Sequence, residues 1–133
     1  MNRRVARIKS VQALYQVEMT GVSAEEAIEA TLEKEEEGND FLLQLVKGTL
    51  ENQKEIDGLL DSVLEHWTLS RLSRVDRAIL RLCVYEMKYV EDVPVNVSIN
   101  EAIDLAKGFN AEEEAGKFVN GVASKIASIL ENE

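Results

Sequence analysis

The chain has 133 residues, 45% hydrophobic and 30% charged, with a formal net charge of −10, one cysteine and one histidine. That length suits a single domain with one core, and the lone Cys83 and lone His66 exclude an internal disulfide and a Cys/His zinc site. No apolar run is long enough to span a bilayer and no signal peptide precedes the body, so we expect a cytoplasmic protein without a membrane anchor.

Positive charge is concentrated at the start of the chain. Residues 1–17 contain four cations and no acid, and because the total is −10 the remaining residues sum to −14. The four cations are Arg3, Arg4, Arg7 and Lys9. A basic end on an acidic body predicts a polyanionic partner that binds at one place only.

The same opening stretch has helical spacing. Its apolar positions recur at steps of three and four residues, which predicts that one side of a helix packs on the core; they are Val5, Ile8, Val11, Leu14 and Tyr15. Arg3 and Arg7 would then lie one above the other, and an arginine fork suits phosphate. A solvated helix end is the alternative, and the acidic remainder favours the functional interpretation.

Two further helices are predicted before the middle of the chain. Ser23 and Glu26 form a capping box that begins a short second helix. Asp40 is expected to cap the third helix. Gly48 lies inside the apolar pattern of this helix, where glycine costs roughly 1 kcal/mol relative to alanine, so we expect it to permit a close helix crossing.

The second half continues the helical pattern. Asn52 is expected to begin a fourth helix, whose apolar stripe extends to Trp67. Ser73 caps a fifth helix that is apolar nearly all round, which is typical of a central, buried element. We expect Cys83, within it, to be a small core residue.

Two helices complete the predicted bundle. Pro94 suits the first turn of a sixth helix, and Lys107-Gly108 is a helix-end signal. The last helix is expected from about Glu113 to Leu130. No sustained strand alternation occurs, so the sequence predicts an all-α fold of six or seven short helices.

Four stretches together resemble a known family. They are Arg3–Arg7 with Gln12–Gln16, Leu72–Arg81 leading into Val84–Glu86, Asp92–Pro94 with Ile99–Lys107, and Lys117–Val122. In order and spacing they resemble the bacterial transcription antitermination factor NusB family over essentially the whole chain. The resemblance implies a compact bundle of about seven short helices. It also implies two three-helix subdomains, about 1–50 and 51–133, within one domain of residues 1–133.

The resemblance also implies a function. NusB-like proteins bind the single-stranded boxA element of ribosomal RNA transcripts together with NusE, a small-subunit ribosomal protein. The pair acts with RNA polymerase and other Nus factors to promote read-through of ribosomal RNA operons. Neither a cofactor nor catalysis is expected, because no nucleophile, base and oxyanion donor converge and no glycine-rich cofactor loop is present.

Site residues follow from matching motifs. The arginine-rich motif of the family falls on Arg3, Arg4 and Arg7, with Lys9 in place of a further arginine. Gln12 is expected to bond a base edge, and Tyr15 either stacks a base or belongs to the core. Lys117 and Asn120 are weaker RNA candidates, and Asn120 is alternatively a structural amide beside a close-packing Gly121. Asp76 and Glu114 are expected to face the ribosomal protein, although Asp76 alternatively only compensates the helix dipole.

Two other interpretations stay open from the sequence. One is a helical protein–protein adaptor whose basic end docks on an acidic protein. The other is an RNA-binding domain related to the leading domain of ribosomal RNA cytosine methyltransferases. If the three arginines form a binding row, replacing all of them with alanine is expected to weaken RNA binding with little change in melting temperature.

Overall fold

The computed structural model describes residues 1–133 as seven α-helices and one 3₁₀ turn, with no β-strand. The helices are α1 (Arg3–Thr20), α2 (Ala24–Thr31), α3 (Asp40–Glu51), α4 (Gln53–Val63), α5 (Arg74–Tyr89), α6 (Val95–Asn110) and α7 (Glu113–Glu131), and the 3₁₀ turn is Leu69–Arg71. The all-α prediction is therefore confirmed. None of the helices combines the length and apolarity needed to cross a bilayer.

Several predicted helix ends are confirmed by their capping hydrogen bonds. The Ser23 hydroxyl accepts from the Glu26 amide at 3.1 Å, and the Ser73 hydroxyl accepts from the Asp76 amide at 3.1 Å. Each cap satisfies one of the amides that the first turn of a helix leaves unpaired. Gly21 ends α1 in the left-handed conformation, with φ of 74°, which glycine adopts without steric cost.

One predicted cap is wrong, and a second residue occupies the predicted N-cap position without making the capping hydrogen bond. Asn39, and not Asp40, caps α3, because its side-chain oxygen accepts from the Leu42 amide at 2.8 Å while Asp40 is the first helical residue. Asn52 makes no N-terminal capping bond to α4. Its side-chain amide instead donates to the Gly48 carbonyl at 2.8 Å, which closes the end of α3.

Two helices end at other residues than the sequence pattern predicts. Helix α6 continues past Gly108 to Asn110 and stops where Ala111 takes a left-handed φ of 56°. Helix α4 stops at Val63, so the predicted core position of Trp67 is wrong and its side chain is 53% exposed. Trp67 therefore belongs to the surface of the segment between α4 and α5.

Helix α5 is the centre of the fold, as predicted. It packs against α1, α3, α4, α6 and α7, and Cys83 is buried within it. Burial raises the pKa of the Cys83 thiol because an apolar surrounding disfavours the thiolate. The predicted close crossing at Gly48 is also confirmed, because a Cβ there would overlap the Tyr85 ring of α5.

One continuous cluster of 30 buried hydrophobic residues draws on helices from both halves of the chain. Three helices end by residue 51, and four helices and the 3₁₀ turn follow. The division into subdomains at about residue 50 stays a prediction. Helix α1 packs against α2, α3 and α5, so its basic end is held by elements from both sides of that boundary.

Candidate nucleic-acid interface

The basic end of α1 is positioned by a polar cap. The Asn2 side chain accepts from the Val5 amide at 2.8 Å, and the Asn39 side-chain amide donates to the Met1 carbonyl at 3.3 Å. The first turn contains Arg3 and Arg4 and no acid. The amide groups and the positive end of the helix dipole at this turn favour an anion. A phosphate at this turn is therefore attracted both by the helix dipole and by the two arginines.

Arg3 and Arg4 are exposed, with 49% and 64% of their side chains accessible. The Arg3 guanidinium lies 4.3 Å from the centre of the Phe41 ring, close enough for a cation–π contact. Arginine presents a planar fork of donors that fits phosphate. Both side chains are therefore accessible to a ligand, and RNA contact by them stays a prediction.

Arg7 occupies a different environment from the two arginines before it. Its side chain is 4% exposed and Glu86, on α5, is 2% exposed. The Arg7 Nε and Nη2 atoms donate to the two Glu86 oxygens at 2.9 and 2.8 Å. Burial by itself lowers the pKa of Arg7, but the hydrogen bonds and negative charge of Glu86 outweigh burial and raise it. Arg7 therefore stays charged and joins α1 to α5.

Lys9 is also buried and paired. Its ammonium donates to the Thr31 carbonyl at 2.6 Å and lies 2.9 Å from a Glu36 oxygen. The hydrogen bond from Lys9 is the main cause that lowers the pKa of Glu36. Lys9 thus satisfies a carbonyl at the end of α2. The prediction that the three arginines form one accessible row is wrong for Arg7, and Lys9 likewise points into the protein.

The buried face of α1 matches the predicted one only in part, since Val11 and Leu14 are buried as predicted. Small residues Ala6, Ser10 and Ala13 are fully buried, and Ile8 is exposed. Small side chains let the helix approach its neighbours closely, which rotates Ile8 out toward solvent. The accessible stripe of α1 is instead Arg4, Ile8, Gln12 and Tyr15, which share one face at steps of three and four residues.

This stripe borders a groove between α1 and α6. The groove has a volume of about 400 Å³, and its lining comprises Arg4, Ile8, Glu101, Asp104, Leu105, Gly108 and Phe109. Gln12 is exposed and makes no hydrogen bond within the protein, whereas Tyr15 is half-buried. Because Tyr15 is neither fully buried nor fully exposed, base stacking and a core position both remain predictions for this residue.

The two weaker RNA candidates lie on α7. Lys117 is exposed and pairs with Glu114 one turn earlier, at 3.3 Å. Asn120 is exposed, and its side-chain oxygen accepts from the Ser124 hydroxyl at 3.1 Å. No close packing occurs at Gly121, because a Cβ there would meet nothing within 4 Å. No hydrogen bond or ion pair joins either candidate to α1, so RNA contact by this pair stays a separate prediction.

The two predicted partner-binding acids lie together. Asp76 and Glu114 both line a cleft of about 310 Å³ that also contains Trp67, Arg71 and Glu112. One Asp76 oxygen accepts from the Asn110 side-chain amide at 3.0 Å. The sequence pattern did not indicate Trp67 as a surface residue of this cleft. Trp67 lies four residues after Val63 and is therefore in phase with the apolar stripe, although α4 has already ended there.

Comparison with known proteins identifies the family. A sequence model described as the NusB family matches residues 4–128. The chain belongs to the NusB family. It is 52% identical over 131 residues to the transcription antitermination protein NusB of Bacillus subtilis, covering 98% of each chain. It is also 52% identical over 125 residues to that of Halalkalibacterium halodurans, covering 94% of this chain and 92% of the relative.

Solved structures of NusB proteins have the same fold. The T. maritima NusB structure superposes with a TM-score of 0.87 at 37% identity, covering 96% of this chain and 92% of that one. A crystal structure of antitermination factors NusB and NusE in complex with double-stranded RNA superposes with a TM-score of 0.84 at 30% identity, covering 96% of both chains. This member of the NusB family therefore has two candidate surfaces, the basic end of α1 and the cleft at Trp67.

Proposed function

We propose that this NusB-family protein binds single-stranded boxA-type RNA together with NusE and acts with RNA polymerase and other Nus factors in the cytoplasm. In this proposal the complex promotes read-through of ribosomal RNA operons. The role is one of binding, without catalysis. The observation that carries it is the pair of exposed arginines on the first turn of α1, in a chain whose net charge is −10.

Arg3 and Arg4 supply the phosphate contacts. Both side chains are accessible and lie on a helix end whose amides favour anions. The acidic remainder of the chain repels RNA elsewhere, so binding is confined to this end. Direct phosphate contact by Arg7 and Lys9 stays a prediction, and their buried pairs support a positioning function instead.

Sequence is read along the accessible stripe of α1. Gln12 offers an unpaired amide to a base edge. If Tyr15 stacks on a base, the typical contribution is roughly 1–3 kcal/mol. Lys117 and Asn120 contact the RNA only if the bound strand extends as far as α7.

NusE docks at the cleft that contains Asp76 and Glu114. With Glu112, three carboxylates face one arginine in this cleft, which favours a basic protein segment. Trp67, the most exposed of the large hydrophobic side chains, provides an aromatic anchor of the kind enriched among energetically dominant interface residues. The crystallised relative bound to NusE supports the choice of partner.

RNA titrations test the proposal. Binding of boxA RNA and a scrambled RNA is measured at two salt concentrations, with and without NusE. We expect tighter binding of boxA RNA, a further gain with NusE because both proteins contact one ligand, and a loss of affinity at higher salt. Equal binding of both RNAs would contradict recognition of boxA, and no binding of either would favour the adaptor interpretation. An unchanged affinity with NusE would contradict joint binding.

The partner surface is tested separately with Trp67→Ala. We expect NusE binding to weaken on the order of ten-fold, because truncating an interface anchor commonly costs 1 kcal/mol or more, while RNA binding by the chain alone is unchanged. Leu43→Ala is the matched control, since Leu43 is another exposed apolar side chain and lies on α3. Equal effects of the two substitutions would exclude Trp67 as an anchor.

A further inference from the structure

Both exposed arginines at the basic end form ion pairs with carboxylates of the same chain. Arg3 Nη2 lies 2.9 Å from an oxygen of Asp92, in the loop between α5 and α6. The Arg4 guanidinium lies 3.3 Å from Glu101 and 3.5 Å from Asp104, both on α6. None of these three acids is predicted from the sequence to contact the arginines. They lie where an anionic ligand of the two arginines would have to bind.

A carboxylate and a phosphate compete for the same arginine fork. Both accept parallel N–H···O bonds from a guanidinium, so a phosphate reaches the Arg3 fork fully only when Asp92 releases it. A carboxylate that stays close after release also repels the phosphate. Exposed ion pairs contribute little free energy, so the exchange is possible but lowers the net gain from RNA binding.

The three acids are not equivalent. Asp92 and Asp104 have 67% and 58% of their side chains exposed, so they can swing into solvent. Glu101 is only 16% exposed and also lies 3.8 Å from the buried Arg7. Glu101 is therefore held near the buried Arg7, and the carboxylates that a phosphate can displace are Asp92 and Asp104.

We propose that Asp92 and Asp104 occupy the phosphate positions at Arg3 and Arg4 in the free protein and yield them when RNA binds. The two aspartates thus set the RNA affinity of this chain. They compensate the charge of the two arginines in the free protein, and they lower the affinity for a ligand that binds through its phosphates. This inference rests on the proposed RNA-binding function and concerns the same site.

The test measures RNA affinity by fluorescence anisotropy at low salt for Asp92→Asn, Asp104→Asn and the double variant, with the full chain and boxA RNA. We expect each single variant to bind about two- to five-fold tighter, since an exposed ion pair is worth up to about 1 kcal/mol. We expect the double variant to gain on the order of ten-fold. Thermal melts check that all variants remain folded.

Two control variants separate local competition from a change in net charge. Glu91→Gln removes a negative charge next to Asp92, at an exposed residue that forms no ion pair, and Asp61→Asn removes an exposed, unpaired charge on α4. We expect either control to change affinity less than about two-fold. In an Arg3→Ala background, we expect the gain from Asp92→Asn to fall to that of Glu91→Gln.

The inference is overturned if Asp92→Asn and Asp104→Asn bind no tighter than the controls, or if the Asp92 gain survives without Arg3. Those outcomes leave the proposed function intact as long as the wild-type chain binds RNA and Arg3→Ala weakens it. If neither the wild type nor any variant binds RNA, both the proposed function and this inference fail.

Discussion

Two successive turns of α1 carry the same kind of residue in opposite environments. Arg3 and Arg4 in the first turn lie in solvent, and two of their three carboxylate partners, Asp92 and Asp104, are exposed. Arg7 and Lys9, one turn later, are buried and paired with acids or a backbone carbonyl. The contrast shows that a basic cluster in a sequence is not a single functional unit. Its outer residues are available to a ligand, and its inner residues hold the helix that presents them.

The inner pair connects the candidate RNA site to the core. Arg7 binds Glu86 of the central helix α5 and lies 5.4 Å from the centre of the Phe41 ring on α3. The Ser98 hydroxyl of α6 donates to the same Glu86 side chain at 3.5 Å. The first turn of α1 is thus positioned by a polar network that reaches three other helices.

The largest expected effect separates the two arginine environments. Arg7→Ala leaves Glu86 buried without its partner, and breaking a buried pair typically costs about 3–5 kcal/mol. We expect a loss of that size in the free energy of unfolding, measured by urea denaturation, and Arg3→Ala to change it by less than about 1 kcal/mol. The structure therefore predicts a lower melting temperature for the triple alanine variant, contrary to the prediction from the sequence, because that variant includes Arg7→Ala.

A paired substitution sharpens this prediction. Replacing Arg7 with Met and Glu86 with Leu together removes both charges and keeps apolar volume, which is often much less destabilising than either single change. Recovery in the double variant would identify the unpaired charge as the cause. If Arg7→Ala were as mild as Arg3→Ala, the contrast between the two turns would be wrong.

The next effect concerns Lys9. Lys9→Met keeps the apolar stem but removes the ammonium that bonds to the Thr31 carbonyl and Glu36. Because hydrogen bonds to charged groups contribute about 1.5–3 kcal/mol, we expect a loss of that order in the free energy of unfolding. Lys34→Met is the matched control, since Lys34 is exposed and unpaired. An equal change in the free energy of unfolding for both lysine variants would mean that the contacts of Lys9 do not stabilise the fold.

A smaller effect is expected in RNA binding. Arg3→Ala with Arg4→Ala removes the two accessible phosphate ligands, so we expect affinity to fall about ten-fold. The slope of log affinity against log salt is expected to flatten by about 1.4, which is about 0.7 for each phosphate contact. Filter binding at several salt concentrations measures both quantities.

The control for the RNA variant matches its change in charge. Lys34→Ala with Lys54→Ala also removes two exposed, unpaired cations, but on other parts of the surface. We expect this variant to keep most of its affinity and the full salt slope. An equal loss in both double variants would attribute RNA binding to net charge, and the first turn of α1 would have no special function.

The smallest effect is a pH dependence at Glu36. Its pKa is lowered from about 4.5, mainly by the hydrogen bond from Lys9. A lowered folded-state pKa contributes stability above the unfolded value, and that contribution is lost as pH falls through the folded pKa. We therefore expect wild type to exceed Glu36→Gln in stability between about pH 5 and 7, and the difference to vanish below the folded pKa. A difference that stays constant into strong acid would contradict the pair.

Local sequence chemistry predicted most of the helices. The caps at Ser23 and Ser73 and the burial of α5 follow from short-range preferences, and they are confirmed. The end of α4 was missed because the apolar phase continues to Trp67 after the helix has stopped. Helix α6 was predicted to end at Gly108 because Lys107-Gly108 matches a helix-end signal, but the helix continues for two residues to Asn110.

The candidate site was predictable only in part. The positions of Arg3 and Arg4 follow from the charge run and from motif matching, as does the pairing of Asp76 and Glu114 as candidates for one surface. Asp92, Asp104 and Glu86 were not predictable as partners of the arginines, because each lies more than seventy residues away in the sequence. Nothing local to those acids indicates which cation they meet.

An all-helical chain with a basic beginning on an acidic body follows from the residues in order, because helix periodicity, capping and charge are properties of neighbouring residues. Which cations face solvent follows from the packing of the helices, because burial depends on how α1 is rotated against α2, α3 and α5. The small side chains of Ala6, Ser10 and Ala13 turn one face of α1 inward. With that rotation, Arg7 meets Glu86 in the interior, and Arg4 and Ile8 are left at the surface.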